Sequence, residues 1–170
     1  MNYNHKDWYK NSYEALKKIY HNETDLFINL LSATSPRKSV KANYKLAHNI
    51  YLNCISGLNP FENIKGLMPS HKPNVLRALK GLPLSGLKVL SFAKALMGDY
   101  NAVVIDTWIK RYFGLNDNYA LTPKRYKDLS IKIKNNARRH GLKPSEYQAV
   151  IWEIERTKAG FKPVAFNEVL

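Results

Sequence analysis

Nearly the whole chain repeats its apolar residues with a helical period, and glycine and proline cut that pattern into short pieces. The combination predicts an all-α fold of many short helices. Residues 6–21 place Tyr13, Leu16 and Tyr20 on one face. A second helix starts near Asn22 or Thr24 and carries the run Leu26-Phe27-Ile28-Asn29-Leu30-Leu31. Ser35-Pro36 marks a break and a restart, because proline fits a first helical turn. Val40, Tyr44, Ala47, Tyr51 and Cys54 then form an apolar stripe, followed by a loop-like stretch over 57–70. Further helices are expected from Pro73 to Gly81, from Ser85 to Gly98 and from Thr107 to Gly114. Thr122-Pro123 opens a basic helix that ends at Gly141. Ser145 with Glu146 opens the last one, with Tyr147, Val150, Ile151 and Ile154 inward. The strand-like run Ala102-Val103-Val104-Ile105 has no pairing partner in the sequence. The tail from Phe161 to Leu170 carries no period that assigns it.

A chain of 170 residues is one compact domain or two small interleaved halves. Apolar residues make up 45%, which supports a sizeable core and excludes a disordered chain. A single cysteine, Cys54, excludes a disulfide framework and any all-cysteine cluster or zinc site. The five histidines show no ligand spacing, so no metal is expected. The segment MNYNHKDWYK has no apolar run, and no stretch is long enough to span a bilayer. The expectation is a cytoplasmic protein, nucleoid-associated in a bacterial or phage-like setting, with no signal peptide and no membrane partner.

Lysine and arginine outnumber acids 27 to 13, and the excess is not spread evenly. Residues 36–143 hold 20 basic side chains and five acids, namely Glu62, Asp99, Asp106, Asp117 and Asp128, while both ends are near neutral. A nucleic-acid surface accounts for such concentration, because each phosphate neutralised releases counterions. A solvated basic face without a partner is the alternative.

The segment LRALKGLPLSGLKVLSFAKALMG holds two helical patterns joined by GLPLSG. So short a turn, built on glycine and proline, implies a fixed geometry. Gly86, in the first turn of the second helix, would let a phosphate approach the free backbone N–H groups there. That arrangement grips a DNA backbone without reading bases. An ordinary helix–helix connection is the alternative. Lys88 follows in the same turn, where the helix dipole disfavours a protonated amine and favours a nucleophilic one. A lysine that merely contacts phosphate is the plainer reading. Asp106, alone in an apolar run, reads as an N-cap for the helix after it, a role compatible with catalysis.

The run Leu82-Pro83-Leu84-Ser85-Gly86-Leu87-Lys88 resembles the LPGVGRK hairpin of the helix-hairpin-helix DNA glycosylases, the endonuclease III superfamily. In that family a catalytic lysine ends the motif, and a catalytic aspartate follows eighteen residues later in a VDTHV-like sequence. Eighteen residues after Lys88, this chain reads Ile105-Asp106-Thr107-Trp108. Upstream, Leu30-Leu31-Ser32-Ala33 followed by Ser39-Val40 is similar to the family's LLSAQ…SV helix pair. The resemblance runs in order from about residue 26 to 114, and beyond it the chain matches only in being helical. Three departures stand out. Leu84 replaces the first hairpin glycine, Thr34 stands where the family has a polar wedge residue, and Trp108 follows Asp-Thr in place of histidine. The four-cysteine iron–sulfur motif is absent, as it is from several branches.

The resemblance implies two interleaved helical subdomains with a cleft between them: 22–114 as a barrel with the hairpin, and 1–21 with 115–170 as the other half. It implies a monomeric base-excision enzyme acting on double-stranded DNA that contains a damaged or modified base or an abasic site. Lys88 and Asp106 would be catalytic, in a DNA N-glycosylase with AP-lyase activity that uses no cofactor and no metal. Leu82, Leu84, Ser85, Gly86, Thr34, Arg37 and Lys38 would contact DNA. The basic face of residues 123–140 reads as a DNA-backbone track or a solvated face. The rival readings are a non-catalytic helix-hairpin-helix DNA-binding protein and a basic protein-interaction module.

Overall fold

The computed structural model describes residues 5–170. Among them it has eight α-helices, three single-turn 3-10 segments and no strand, so the described chain is all-helical, as expected. Helix α1 spans Trp8–Tyr20, α2 Thr24–Thr34, α3 Val40–Ile55 and α4 Lys72–Leu79. Helix α5 spans Leu87–Leu96, α6 Thr107–Tyr112, α7 Pro123–Arg139 and α8 Pro144–Lys158. Among the described residues no helix is long and apolar enough to cross a membrane.

Helix α2 explains the unbroken apolar run in its sequence. It packs against α1, α3, α4 and α5, and Phe27, Ile28, Leu30 and Leu31 are fully buried. A helix surrounded on several sides needs apolar residues on several faces.

Helix α3 departs from the expected stripe. Its buried face is Asn43, Leu46, Ala47 and Ile50, with Val40, Tyr44, Tyr51 and Cys54 flanking it half-buried. The cause is Asn43, whose amide donates to the Leu31 carbonyl at 3.0 Å and whose Oδ1 accepts from Thr34 Oγ1 at 2.8 Å. A polar side chain takes this buried position because it satisfies the exposed end of α2. The restart expected at Pro36 also shifts. Ser39 caps α3 by accepting from the Ala42 N–H at 3.2 Å, and Pro36 lies in the turn before it.

The strand-like run at 102–105 is buried but unpaired by any strand among the described residues. The Tyr126 hydroxyl from α7 donates to the Val103 carbonyl at 2.7 Å and accepts from the Ile105 N–H at 3.2 Å. One phenol thus supplies both partners that a neighbouring strand would give.

Two apolar clusters build the molecule. The first gathers α1 to α5 with Ala149 of α8 and Phe166. The second gathers Val103, Ile105 and Ile109 with the inner face of α7 and with Tyr147 and Ile151 of α8. Helix α8 therefore faces both clusters. Helix α6, expected in the barrel half, gives Ile109 to the second cluster. Helix α1, expected with 115–170, gives Trp8, Tyr9, Leu16 and Tyr20 to the first. It also touches α8 and the 3-10 turn Phe166–Glu168. The tail returns across α1: Trp8 Nε1 donates to the Val164 carbonyl at 3.1 Å, and the Phe166 N–H donates to Ser12 Oγ at 3.3 Å.

Two helix starts differ in detail. Glu146 accepts from the Lys143 N–H at 2.8 Å and Pro144 leads α8, so the expected opener Ser145 lies fully buried inside the first turn. Gly86 is the residue before α5, not within its first turn, and it takes φ of +102°. A side chain at that φ would be strained, while a Cβ would meet Val89 at an ordinary 3.6 Å, so conformation and not space requires the glycine.

Candidate active site

Asp106 ends the buried extended run and caps α6 from its N-terminus. Its Oδ1 accepts from the Ile109 N–H at 3.0 Å, and its Oδ2 accepts from the Trp152 indole N–H at 3.1 Å. Burial pushes the Asp106 carboxyl above the usual carboxylate range. The Ile109 N–H, the nearby charge of Lys88, the Trp152 indole and the Trp108 N–H oppose that rise.

Lys88 is the second residue of α5, and no side chain caps that helix. The hairpin before it is fixed from α4. Asn74 accepts from the Ser85 N–H at 2.7 Å and donates to the Ser85 carbonyl at 2.9 Å, and Arg77 Nε donates to the Pro83 carbonyl. Lys88 is half-buried and lines the cleft.

Both residues line one pocket. Its walls are aromatic: Trp8, Tyr9, Phe92, Trp152 and Phe166. Ser35, Lys38, Asn43 and Gln148 add polar edges. The enclosed space is about 110 Å³, against about 300–1,000 Å³ for sites that hold drug-sized molecules. The wall rings pack on one another, with Trp8 4.9 Å from Tyr9, 6.0 Å from Trp152 and 5.6 Å from Phe166 between centroids. Across the pocket the Tyr9 phenol donates to Gln148 Oε1 at 2.6 Å. Burial, and secondarily the Asp106 charge, holds the Tyr9 phenol well above its usual range, so it stays a donor. Lys88 and Asp106 also line a second cleft, together with Lys110 and Tyr126.

The other sequence-expected residues divide. Lys38 lines the pocket, and Arg37 is exposed beside it at φ of +60°. Leu82, Ser85 and Gly86 are exposed on the hairpin. Leu84 is buried in the first core. Thr34 is fully buried as well: its hydroxyl meets the Leu30 and Leu31 carbonyls and Asn43. Both side chains are turned into the interior. Tyr112 and Phe113 pack on the second core. Pattern reading missed Tyr9, Gln148 and Trp152. Gln148, a polar residue between the inward Tyr147 and Val150, was the available signal for one of them.

Among the described residues no three His, Cys, Asp or Glu side chains converge as metal ligands would. No curated protein and no solved structure matches the chain. A family model does match, over residues 2–159, and the chain therefore belongs to that family of unknown function (DUF7178).

Proposed function

We propose that this protein is a helix-hairpin-helix DNA glycosylase with AP-lyase activity, acting on double-stranded DNA that carries a damaged or modified base or an abasic site. One observation carries the reading. Lys88 and Asp106, which match the catalytic positions of the resembling family, line the same aromatic-walled pocket. The basic middle of the chain supplies the phosphate affinity such an enzyme needs.

The target nucleotide leaves the stack and its base enters the aromatic-walled pocket. The Asp106 carboxylate faces the sugar and stabilises positive charge as it develops at C1′. The Lys88 amine attacks C1′, the C1′–N bond breaks, and the base departs with the bonding pair and takes up a proton. The nitrogen gives up one proton, its lone pair opens the C1′–O4′ bond, O4′ takes up a proton, and a protonated Schiff base forms. Loss of a C2′ proton expels the 3′ phosphate and cuts the strand. Water hydrolyses the imine and frees Lys88.

The test is strand cleavage on duplexes containing an abasic site, alongside base release from a panel of lesions. The reading expects nicking with a 3′ unsaturated aldehyde end, lost in Lys88→Gln. Tight duplex binding with neither nicking nor base release overturns it and leaves the non-catalytic helix-hairpin-helix reading.

A further inference from the structure

Helix α8 brings three features to Asp106 that the reaction above does not use. The Trp152 indole N–H bonds Oδ2 at 3.1 Å. One turn later, the Arg156 guanidinium lies over the Trp152 ring at 4.8 Å and over Trp108 and Phe161 at 5.4 Å each. Arg156 Nε is buried without a hydrogen-bond partner. Ring faces thus hold this guanidinium where acceptor atoms ordinarily would.

We infer that Trp152 is a positioning residue, whose indole N–H fixes the orientation of the Asp106 carboxylate and favours its charged form, with Arg156 clamping the indole in place. This rests on the glycosylase reading for its consequence, though the contact stands without it. The reasoning is geometric. Without Trp152 the carboxylate would be held from one side only, by the Ile109 N–H on Oδ1 and the Trp108 N–H, both at the start of α6. The indole holds the second oxygen from a different helix, and rotation then breaks a bond. A charge-assisted hydrogen bond also favours the charged form over the neutral one.

The other groups that act electrostatically on Asp106, or feel its charge, lie on five of the helices. They are Tyr9 of α1, Lys88 of α5, Arg111 of α6, Tyr126 of α7 and Arg156 of α8. The hydrogen bond to Oδ2 comes from Trp152 and from none of these five. Arg156 acts twice. Its charge favours the carboxylate through space, and its stacking holds the ring that makes the bond.

The test is the titration of the Asp106 side-chain carboxyl, followed by carbon NMR in the wild type and in Trp152→Phe. Phenylalanine keeps the ring against Trp8 and loses the N–H. The expected result is an upward shift of the midpoint by about one unit. An unchanged midpoint in folded Trp152→Phe overturns the inference. The wild type gives an independent reading. The Trp152 indole proton should move with the Asp106 midpoint, and a resonance flat across that range contradicts the contact. Neither measurement depends on activity, so both remain decisive if the glycosylase reading fails. If it holds, the acid limb of the pH–cleavage profile should move up by the same shift in Trp152→Phe. A profile lowered at every pH without that movement assigns Trp152 a packing role instead.

Discussion

The Tyr9 hydroxyl donates to Gln148 Oε1 at 2.6 Å, joining helix α1 to helix α8 across 139 residues of chain. Both side chains are buried, and both line the pocket that holds Lys88 and Asp106. Tyr9→Phe leaves the Gln148 oxygen buried without its donor. The expected loss of stability is about 1–3 kcal/mol, read by urea denaturation. A loss near zero would show that water reaches Gln148 and that the pocket is more open than drawn.

Leu84 separates two views of the hairpin. It stands at a glycine position of the resembling motif, yet its side chain is buried in the first core. Leu84→Ala should therefore cost about 2–5 kcal/mol of folding free energy. DNA affinity, measured by fluorescence anisotropy at a temperature where the variant is folded, should hardly change. The opposite pattern would return Leu84 to the DNA surface.

His71 makes stability depend on pH. It is fully buried, and its Nε2 pairs with the Pro36 carbonyl at 3.1 Å while its Nδ1 accepts from the Met68 N–H at 3.3 Å. These partners fix a neutral ring that donates from Nε2. Burial, aided by the Lys38 charge, holds its pKa below the ordinary 6.5. The unfolded chain then binds the proton more readily than the folded one. Stability is complete above the ordinary value and falls as pH drops through about 6.5 toward the depressed value. Urea midpoints measured from about pH 7.5 down to pH 5 should drop more for the wild type than for His71→Gln.

The all-helical class, the Ser85–Gly98 and Thr107–Gly114 segments and the Thr122 cap were legible from period and punctuation, since the Thr122 hydroxyl does accept from the Arg125 N–H. What escaped was set by contacts distant in sequence. Asn43 turned the face of α3 because it serves the end of α2. The buried run at 102–105 found its partner in the hydroxyl of Tyr126, more than twenty residues away. Of the site, Lys88 and Asp106 were visible because motif spacing carries them. Trp152 and Gln148 were not. An aromatic or amide on an amphipathic helix reads the same in the core as at a pocket wall, and only packing tells them apart.

Asp106→Asn tests the acid half of the pair. Asparagine can still accept from the Ile109 N–H, so α6 keeps its cap. The negative charge that the proposed reaction sets against the sugar is lost. Base release in single-turnover kinetics should slow by about 10²–10⁴-fold with duplex affinity retained. An unchanged rate would remove Asp106 from the chemistry.

The central claim is that the Lys88 amine bonds covalently to the sugar. The direct measurement is borohydride reduction of the protein with abasic-site duplex, followed by digestion and mass mapping of the cross-linked peptide. The account predicts a stable adduct on Lys88, absent from Lys88→Gln while that variant still binds the duplex. An adduct carried mainly by another lysine, or no adduct under conditions of saturated binding, would contradict it.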